Sequence, residues 1–495
     1  MFTKQFFLKK SLIGYFSIAV LCLPLFFINV RASLDWGDDF AGYIHQAKNI
    51  VNGIPQSETG FMYNENFPDI SIVHDIGFPL LLSPIYYFRG NDVKAFLLLI
   101  SFILYILSFA LMSFYNKYFS PLISAFLVLI IIYNPWTLDF KAEILSDIPF
   151  ALFMLLSVNF FLTKGINKAF NCLVIGIMAG GLLSIRTIGM IFPLALLCHF
   201  IQTFIHTTDN NSKRNLIKNN LIILVSTVSV YLLLNQLLFF TIRSSQGSYL
   251  NFYQLHLINI GSTLLANFNG YFSFIHSFFL SLGRYEFLKI IASSLAVISL
   301  FIGMIYKYKE KIDFIDFIVA IYSLIIMLFP CCVYRYLFPI IPFLLYYMVI
   351  GLQRINLNLN INKNIIISFL GVFVLIQYYP EVKWIIKNQD SIQNGPQEKA
   401  SMEAFAYIRQ NTPKNAVIVF AKPRALALYT DRIGMANEQT DDVKKLKIKF
   451  KKMGISYLLI HTEETKEKTL SKFIEAYKEE TNLVWSNEKF FLYKL

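Results

Sequence analysis

Charge is what this sequence has least of. Only 15% of its 495 residues are Asp, Glu, Lys or Arg, against roughly 25% in soluble chains, which excludes an ordinary water-soluble globular domain. Cysteine is scarce as well. Cys22, Cys172, Cys198, Cys331 and Cys332 all fall in or beside apolar segments without metal-ligand spacing, so they read as small hydrophobes. The seven histidines are too scattered to form a metal cluster. No Walker loop, GxGxxG, HExxH or GxSxG motif occurs, which removes the chemistries those motifs carry. A cleavable signal peptide is also missing from the expected pattern. Residues 1–10 are basic and 11–30 apolar, but the run is long and lacks a small-x-small cleavage site, so it reads as an uncleaved first span.

What is present is apolar: 56% of residues are hydrophobic, 16% aromatic, and the mean hydropathy is +0.53. Apolar runs of roughly 17–25 residues recur along the first 380 positions, the length that crosses a hydrocarbon core. In lipid such runs must be helical, because each backbone polar group has to be satisfied within its own segment. The expected fold class is an α-helical polytopic membrane protein of about 11 transmembrane helices, followed by a small C-terminal α/β soluble domain.

Lys4, Lys9 and Lys10 precede the first span and predict a cytoplasmic N-terminus. The net charge of +13 resides largely in short loops, where it sets orientation and does not point to nucleic acid. The transmembrane part is expected over 1–380 with long outer loops at 31–93, 134–147 and 243–289. Loops of that length are usually functional. Within the last, the apolar piece 271–282 is too short for a span and reads as an interfacial or re-entrant helix. The acids follow the opposite bias: Asp38, Asp39, Asp75, Asp139, Glu143 and Asp147 all lie on the outer side.

A second domain is expected over 395–495, on the extracytoplasmic side. Helices are predicted at 397–410, 441–453 and 463–479, and strands at 416–421, 455–461, 483–485 and 490–493. Alternating elements of this kind suggest a small α/β domain. The lysine run at 444–452 reads as a solvated helix face.

The chemistry is expected in the stretch DWGDDFAGYIHQAKNIVNG at 35–53. An acidic pair at a membrane boundary is costly unless used, so Asp38 and Asp39 are functional candidates; the alternative is solvated acids capping the helix that carries Tyr43. His74 and Asp75, Glu143 and Asp147, Arg186 and Arg335 gather on the same predicted face. Asp147 is placed like a helix N-cap, with Pro149 in the first turn. Interfacial snorkelling is the alternative for the two arginines. Acids and arginines together suit glycosyl transfer from a lipid-phosphate-linked sugar. A carboxylate accepts the proton of the incoming hydroxyl, and the phosphate leaving group is met by guanidinium groups. Paired carboxylates holding a divalent cation, Mg or Mn, are the other way to neutralise that phosphate; Asp38 and Asp147 are the candidate ligands.

Five segments also resemble a known family in order along residues 1–380. DDFAGYIHQAKNIVNG resembles the first-loop motif of GT-C-fold glycosyltransferases, and HDIGFPLLLSPIYYFRG the segment that follows it. LSDIPF resembles their second-loop element, and RTIGMIFPLAL and YRYLFPIIPFLL their later arginine-bearing segments. The resemblance is to the bacterial branch near protein mannosyltransferases and the lipid A aminoarabinose transferase. It implies Asp39 as catalytic base with Asp38 beside it, Asp147 in metal or acceptor binding, and Arg186 and Arg335 near the lipid phosphate. His74, Asp75 and Tyr43 join them as expected substrate-binding residues. The usual acidic pair of the family is Asp-Glu, whereas here it is Asp-Asp preceded by Asp35, so the register between Asp38 and Asp39 stays open.

The expected function is an inverting glycosyltransferase of the bacterial cytoplasmic (inner) membrane. It would move a sugar from a polyprenyl-phosphate donor to a hydroxyl of a glycan, lipid or protein acceptor of the cell envelope. Its partners are then that lipid-linked donor, the acceptor and membrane lipids, with no nucleic acid. A transporter or lipid flippase would instead carry intramembrane charges and paired repeats of broken helices, and a catalytically inactive relative would only bind the polyprenyl lipid.

Overall fold

The structure is a computed structural model that describes every residue except Met1, 65–72, 239–259, 277, 280–285, 330–331, 356–362, 439, 441 and 464–467. The chain divides into two compact units. One comprises Met1–Val30, Leu97–Leu234 and His256–Gln389; the other comprises Arg31–Phe96, Asn235–Leu255 and Asp390–Leu495.

In chain order the described helices are α1 (Phe2–Leu21), α2 (Asp39–Asn52), α3 (Gly77–Arg89), α4 (Val93–Tyr115), α5 (Pro121–Ile132), α6 (Pro135–Lys141), α7 (Asp147–Lys164), α8 (Ala169–Ile185), α9 (Ile191–His206) and α10 (Asn210–Leu232). There follow α11 (Ile260–Ile275), α12 (Glu286–Glu310), α13 (Phe314–Leu328), the single turn α14 (Tyr334–Leu337), α15 (Ile341–Arg354) and α16 (Lys363–Asn388). The C-terminal helices are α17 (Lys399–Asn411), α18 (Pro423–Thr430), α19 (Val443–Met453) and α20 (Lys468–Ala476). Among the described residues seven helices are long and apolar enough to cross a membrane, or eight if α5 and α6, bent by 57° at their junction, form one broken span. Three shorter apolar helices, Leu12–Phe26, Ala169–Ile185 and Phe314–Leu328, accompany them. Of the expected loop 243–289, α11 is described; 243–259 and much of 277–285 lie outside the described residues.

The first unit is a helical bundle whose closest crossings are made by small residues. Water drives no association between apolar helices in lipid, so close backbone approach has to supply the contact. Gly303 of α12 and Gly351 of α15 face each other's backbones: a Cβ on Gly303 would stand 1.9 Å from the Tyr347 carbonyl oxygen, and one on Gly351 1.8 Å from that of Ser299. The Ser299 hydroxyl donates across the same crossing to the Met348 carbonyl at 2.8 Å. Gly176 and Gly180, one turn apart on α8, do the same against α10, where Cβ atoms would overlap the Ile223 and Thr227 carbonyls.

The second unit is built on a six-stranded sheet: β1 (Phe61–Met62), β2 (Val417–Phe420), β3 (Ile433–Ala436), β4 (Tyr457–His461), β5 (Asn482–Ser486) and β6 (Phe490–Lys494). Their order is β1-β3-β2-β4-β6-β5. The first four are parallel neighbours and the last two close the sheet antiparallel. Alternation along the strands separates two faces. Val417, Val419, Leu458 and Ile460 pack with Leu446, Phe450, Leu470 and Phe473 of α19 and α20. Phe420, His461 and Phe490 turn the other way and surround Trp36, with ring centroids 5.7, 5.9 and 6.3 Å from it. Three elements differ from the sequence expectation: the stretch between the predicted elements 416–421 and 441–453 contains both α18 and β3, and residues 61–62 of the long first loop supply edge strand β1, paired Phe61 to Gly434 and Met62 to Met435. Short elements carry too little periodicity to be read from sequence.

Candidate functional site

Within the second unit the acidic pair stands at the start of α2. Asp39 is its first residue and Asp38 its N-cap, but the Asp38 side chain makes no bond to its own helix. Its carboxylate instead accepts from the backbone N–H of Ala425 at 3.3 Å, in the first turn of α18. One residue earlier, Arg424 donates from Nη1 to Asp39 Oδ1 at 3.0 Å, and its Nε lies 3.9 Å from Asp38 Oδ2. Pro423 begins α18, where its missing N–H costs nothing and its fixed φ favours the helix. The side chains of Arg424, Asp38 and Asp39 are 6%, 19% and 34% exposed, respectively.

Sequence and packing explain how an arginine reaches this place. Gly42, one turn beyond the acids, leaves room for both neighbours: a Cβ there would lie 2.6 Å from His74 Nε2 and 3.4 Å from Arg424 Cδ. The Arg424 guanidinium carbon stands 5.4 Å from the ring centre of Phe61, a cation–π distance. His74 stacks on Tyr43 with centroids 4.2 Å apart. Its backbone is held by Gln46, whose Oε1 accepts from the His74 N–H at 2.9 Å and whose Nε2 donates to the His74 carbonyl at 3.1 Å. Asp75 follows in the turn leading into α3. Burial pushes the Asp38 carboxyl up to about 6, against the opposing pull of Arg424. Burial and the charge of Lys48 push His45 down to about 4, which keeps it neutral at physiological pH.

The first unit holds the second cluster. Asp147 is not the N-cap of α7 that its position suggests; Ser146 takes that place and Asp147 is the first helical residue. Buried to 2% exposure, its carboxylate forms an ion pair with Arg186 and faces Arg335 Nε at 3.8 Å. Arg186 extends from the end of α8, where the chain turns into a short 3₁₀ segment, and its Nη1 donates to Ser146 Oγ at 3.4 Å. Arg335 comes from α14. The Tyr336 ring lies under both guanidinium groups, at 5.8 and 5.5 Å. Two permanent positive charges thus flank one carboxylate on an aromatic platform, an arrangement suited to an anionic oxygen cluster.

Of the residues expected from sequence, the structure brings Asp38, Asp39, Tyr43 and His74 together in one unit and Asp147, Arg186 and Arg335 in the other. Arg424 and Gly42 are members of the first set that the sequence did not single out; the available signal was the Pro-Arg pair opening a short apolar segment. For the expected Mg or Mn ion, the donor set fits poorly. Among the described residues no group of three or more His, Cys, Asp or Glu converges. Asp38 and Asp147 belong to different units and each meets arginine, whereas a hard cation takes several oxygen ligands.

No family model and no curated protein matches the chain in sequence. Solved structures do match in fold. ArnT from Cupriavidus metallidurans in its apo state superposes with a TM-score of 0.58 at 14% identity, over 98% of each chain. The same protein bound to undecaprenyl phosphate gives 0.56 at 12%, over 97% of each. The archaeal oligosaccharyltransferase AglB from Archaeoglobus fulgidus, in complex with an inhibitory peptide and a dolichol-phosphate, gives 0.60 at 12%, covering 94% of this chain and 70% of that one. The chain has the fold of the GT-C glycosyltransferases. It is accordingly a helical, multi-pass membrane protein carrying a small α/β unit.

Proposed function

We propose that the chain is an inverting glycosyltransferase using a polyprenyl-phosphate-linked sugar at the outer face of the bacterial cytoplasmic membrane. The observation that carries this reading is the fold likeness to ArnT along nearly the whole of both chains, with one of the matching structures holding undecaprenyl phosphate. In the proposed step the acceptor hydroxyl oxygen attacks the anomeric carbon as its proton passes to Asp39. The bond from the anomeric carbon to the phosphate oxygen breaks, and polyprenyl phosphate departs with the electron pair. A phosphate leaving group needs positive charge more than a proton, so Arg186 and Arg335 are assigned to it, with Asp147 fixing their direction. Asp38, bonded to the N-terminus of α18, is assigned to structure, which leaves the more exposed Asp39 as the base. No step is routed through a metal.

The test is sugar transfer in proteoliposomes, using a panel of polyprenyl-phosphate-linked hexoses and pentoses with envelope extract as acceptor and following release of polyprenyl phosphate. Asp39→Asn should lower turnover on the order of 10²–10⁴-fold, the usual contribution of a general base. Asp147→Asn should weaken donor use through the arginines. Folded Asp39→Asn and Asp147→Asn proteins with full transfer would refute the assignment.

A further inference from the structure

The second unit contains a cation at the acidic pair that the reaction so far leaves unused. Arg424 is almost fully buried, and its guanidinium meets both carboxylates at once: 3.0 Å to Asp39 through Nη1, and 3.9 Å to Asp38 through Nε. The position is over-determined. Its backbone follows Pro423 into α18, and the next N–H, that of Ala425, is bound by Asp38. Its stem crosses Gly42 and its charge lies over Phe61 of β1. A planar fork held on two sides directs its hydrogen bonds; an ammonium at the same place would be a point charge without direction.

We infer that Arg424 is a positioning residue for Asp39, through which the C-terminal segment of this unit sets the orientation and ionisation of the base. The inference rests on the reading of Asp39 as base. Asp38 anchors α18, α18 presents the guanidinium, and the guanidinium holds Asp39 through Oδ1. A neighbouring cation favours the ionised carboxylate, so the arrangement keeps Asp39 a base at lower pH. Among the described residues, the charged and titratable groups at this end of α2 include Asp38 beside it, Lys422 and Arg424 at the start of α18, and His74 ahead of α3. Lys48, His45, Tyr86 and Asp431 form a separate group further along.

The experiment uses the full chain in proteoliposomes and the same lipid-linked sugar panel, comparing wild type, Arg424→Gln, Arg424→Lys and Asp39→Asn, with thermal unfolding to establish folding. For Arg424→Gln, kcat should fall at least tenfold while the donor KM stays within twofold, and the acidic limb of the kcat profile should move upward by about one pH unit. Arg424→Lys should keep the limb near its wild-type position and lose kcat several-fold, because the fork is gone. A folded glutamine protein with wild-type kcat and an unmoved limb overturns the inference, as does an equal loss in both variants with neither limb shifted. Should the glutamine protein not fold, the lysine protein decides: wild-type kcat there overturns the orienting role, and a reduced kcat with an unmoved limb supports it. An inactive Asp39→Asn beside a fully active glutamine variant defeats only this inference, whereas an active Asp39→Asn defeats the base and the inference with it.

Discussion

At the scale of single residues, two adjacent aspartates have been given different surroundings. Asp38 reaches across to the N-terminus of another helix and is held at about 6 by burial; Asp39 is the more exposed of the two and faces a buried arginine. The consequence for Asp38 has a definite sign. A carboxyl whose folded pKa lies above its unfolded value binds its proton more tightly in the native state. Its contribution to stability is therefore full below about pH 4 and is lost as pH rises through about 6. Asp38→Asn keeps an acceptor for Ala425 N–H and cannot ionise. Relative to wild type, the asparagine protein should gain on the order of 2 kcal/mol between pH 4 and pH 8. Thermal unfolding of the detergent-solubilised chain at several pH values checks this; a difference between the two proteins that stays constant with pH would count against it.

At the scale of elements, helices in the first unit meet through glycine. Gly351 of α15 abuts the backbone of α12 at Ser299, whereas Gly181, also helical, has nothing within 4 Å of where a Cβ would stand. Gly351→Ala should therefore force α12 and α15 apart and lower the unfolding temperature by several degrees, while Gly181→Ala, with better helix propensity and no obstacle, should leave it unchanged or slightly higher. Equal behaviour of the two variants in a thermal-shift measurement would contradict the packing described. In the second unit, the corresponding joint is Trp36. Its indole N–H donates to Asn394 at 3.0 Å, and four rings surround it. Truncation to Ala should cost about 3–5 kcal/mol, as for other buried large aromatics, with Phe recovering most of the loss. A Trp36→Ala protein unfolding at the wild-type temperature would show that the cluster does not hold the sheet to the first loop.

At the scale of the whole molecule, membrane-length helices and an α/β unit occur in one chain, and the proposed reaction requires a defined orientation. The basic N-terminal residues Lys4, Lys9 and Lys10 predict a cytoplasmic start, and an odd number of spans, as in the expected count of about 11, then puts the C-terminus on the extracytoplasmic side. Alkaline phosphatase fused after Leu495 should be active in bacteria, and a fluorescent protein at the same place, which does not mature when exported unfolded, should be dark. The reverse pattern would place the α/β unit in the cytoplasm and remove the acceptor side assigned to the reaction.

The sequence alone determined the helical membrane class, because hydrophobic length and the need to satisfy backbone groups in lipid leave no other solution. It also marked most strands of the C-terminal segment, whose apolar runs are bounded by polar turns. Asp38, Asp39 and Asp147 stood out as acids in an acid-poor chain, and Arg186 and Arg335 as charges beside apolar runs. Only the tertiary structure decided which of these meet. The pairing of Asp147 with Arg186 joins residues 39 positions apart through the directions of two helix ends, which no local pattern encodes. Arg424 lies 385 positions from Asp39, on an eight-residue helix too short to announce itself, and reaches it because Gly42 leaves the space and β1 brings Phe61 beneath. Composition fixes what a segment can become; contact between distant segments depends on shape, charge and the absence of a single side chain.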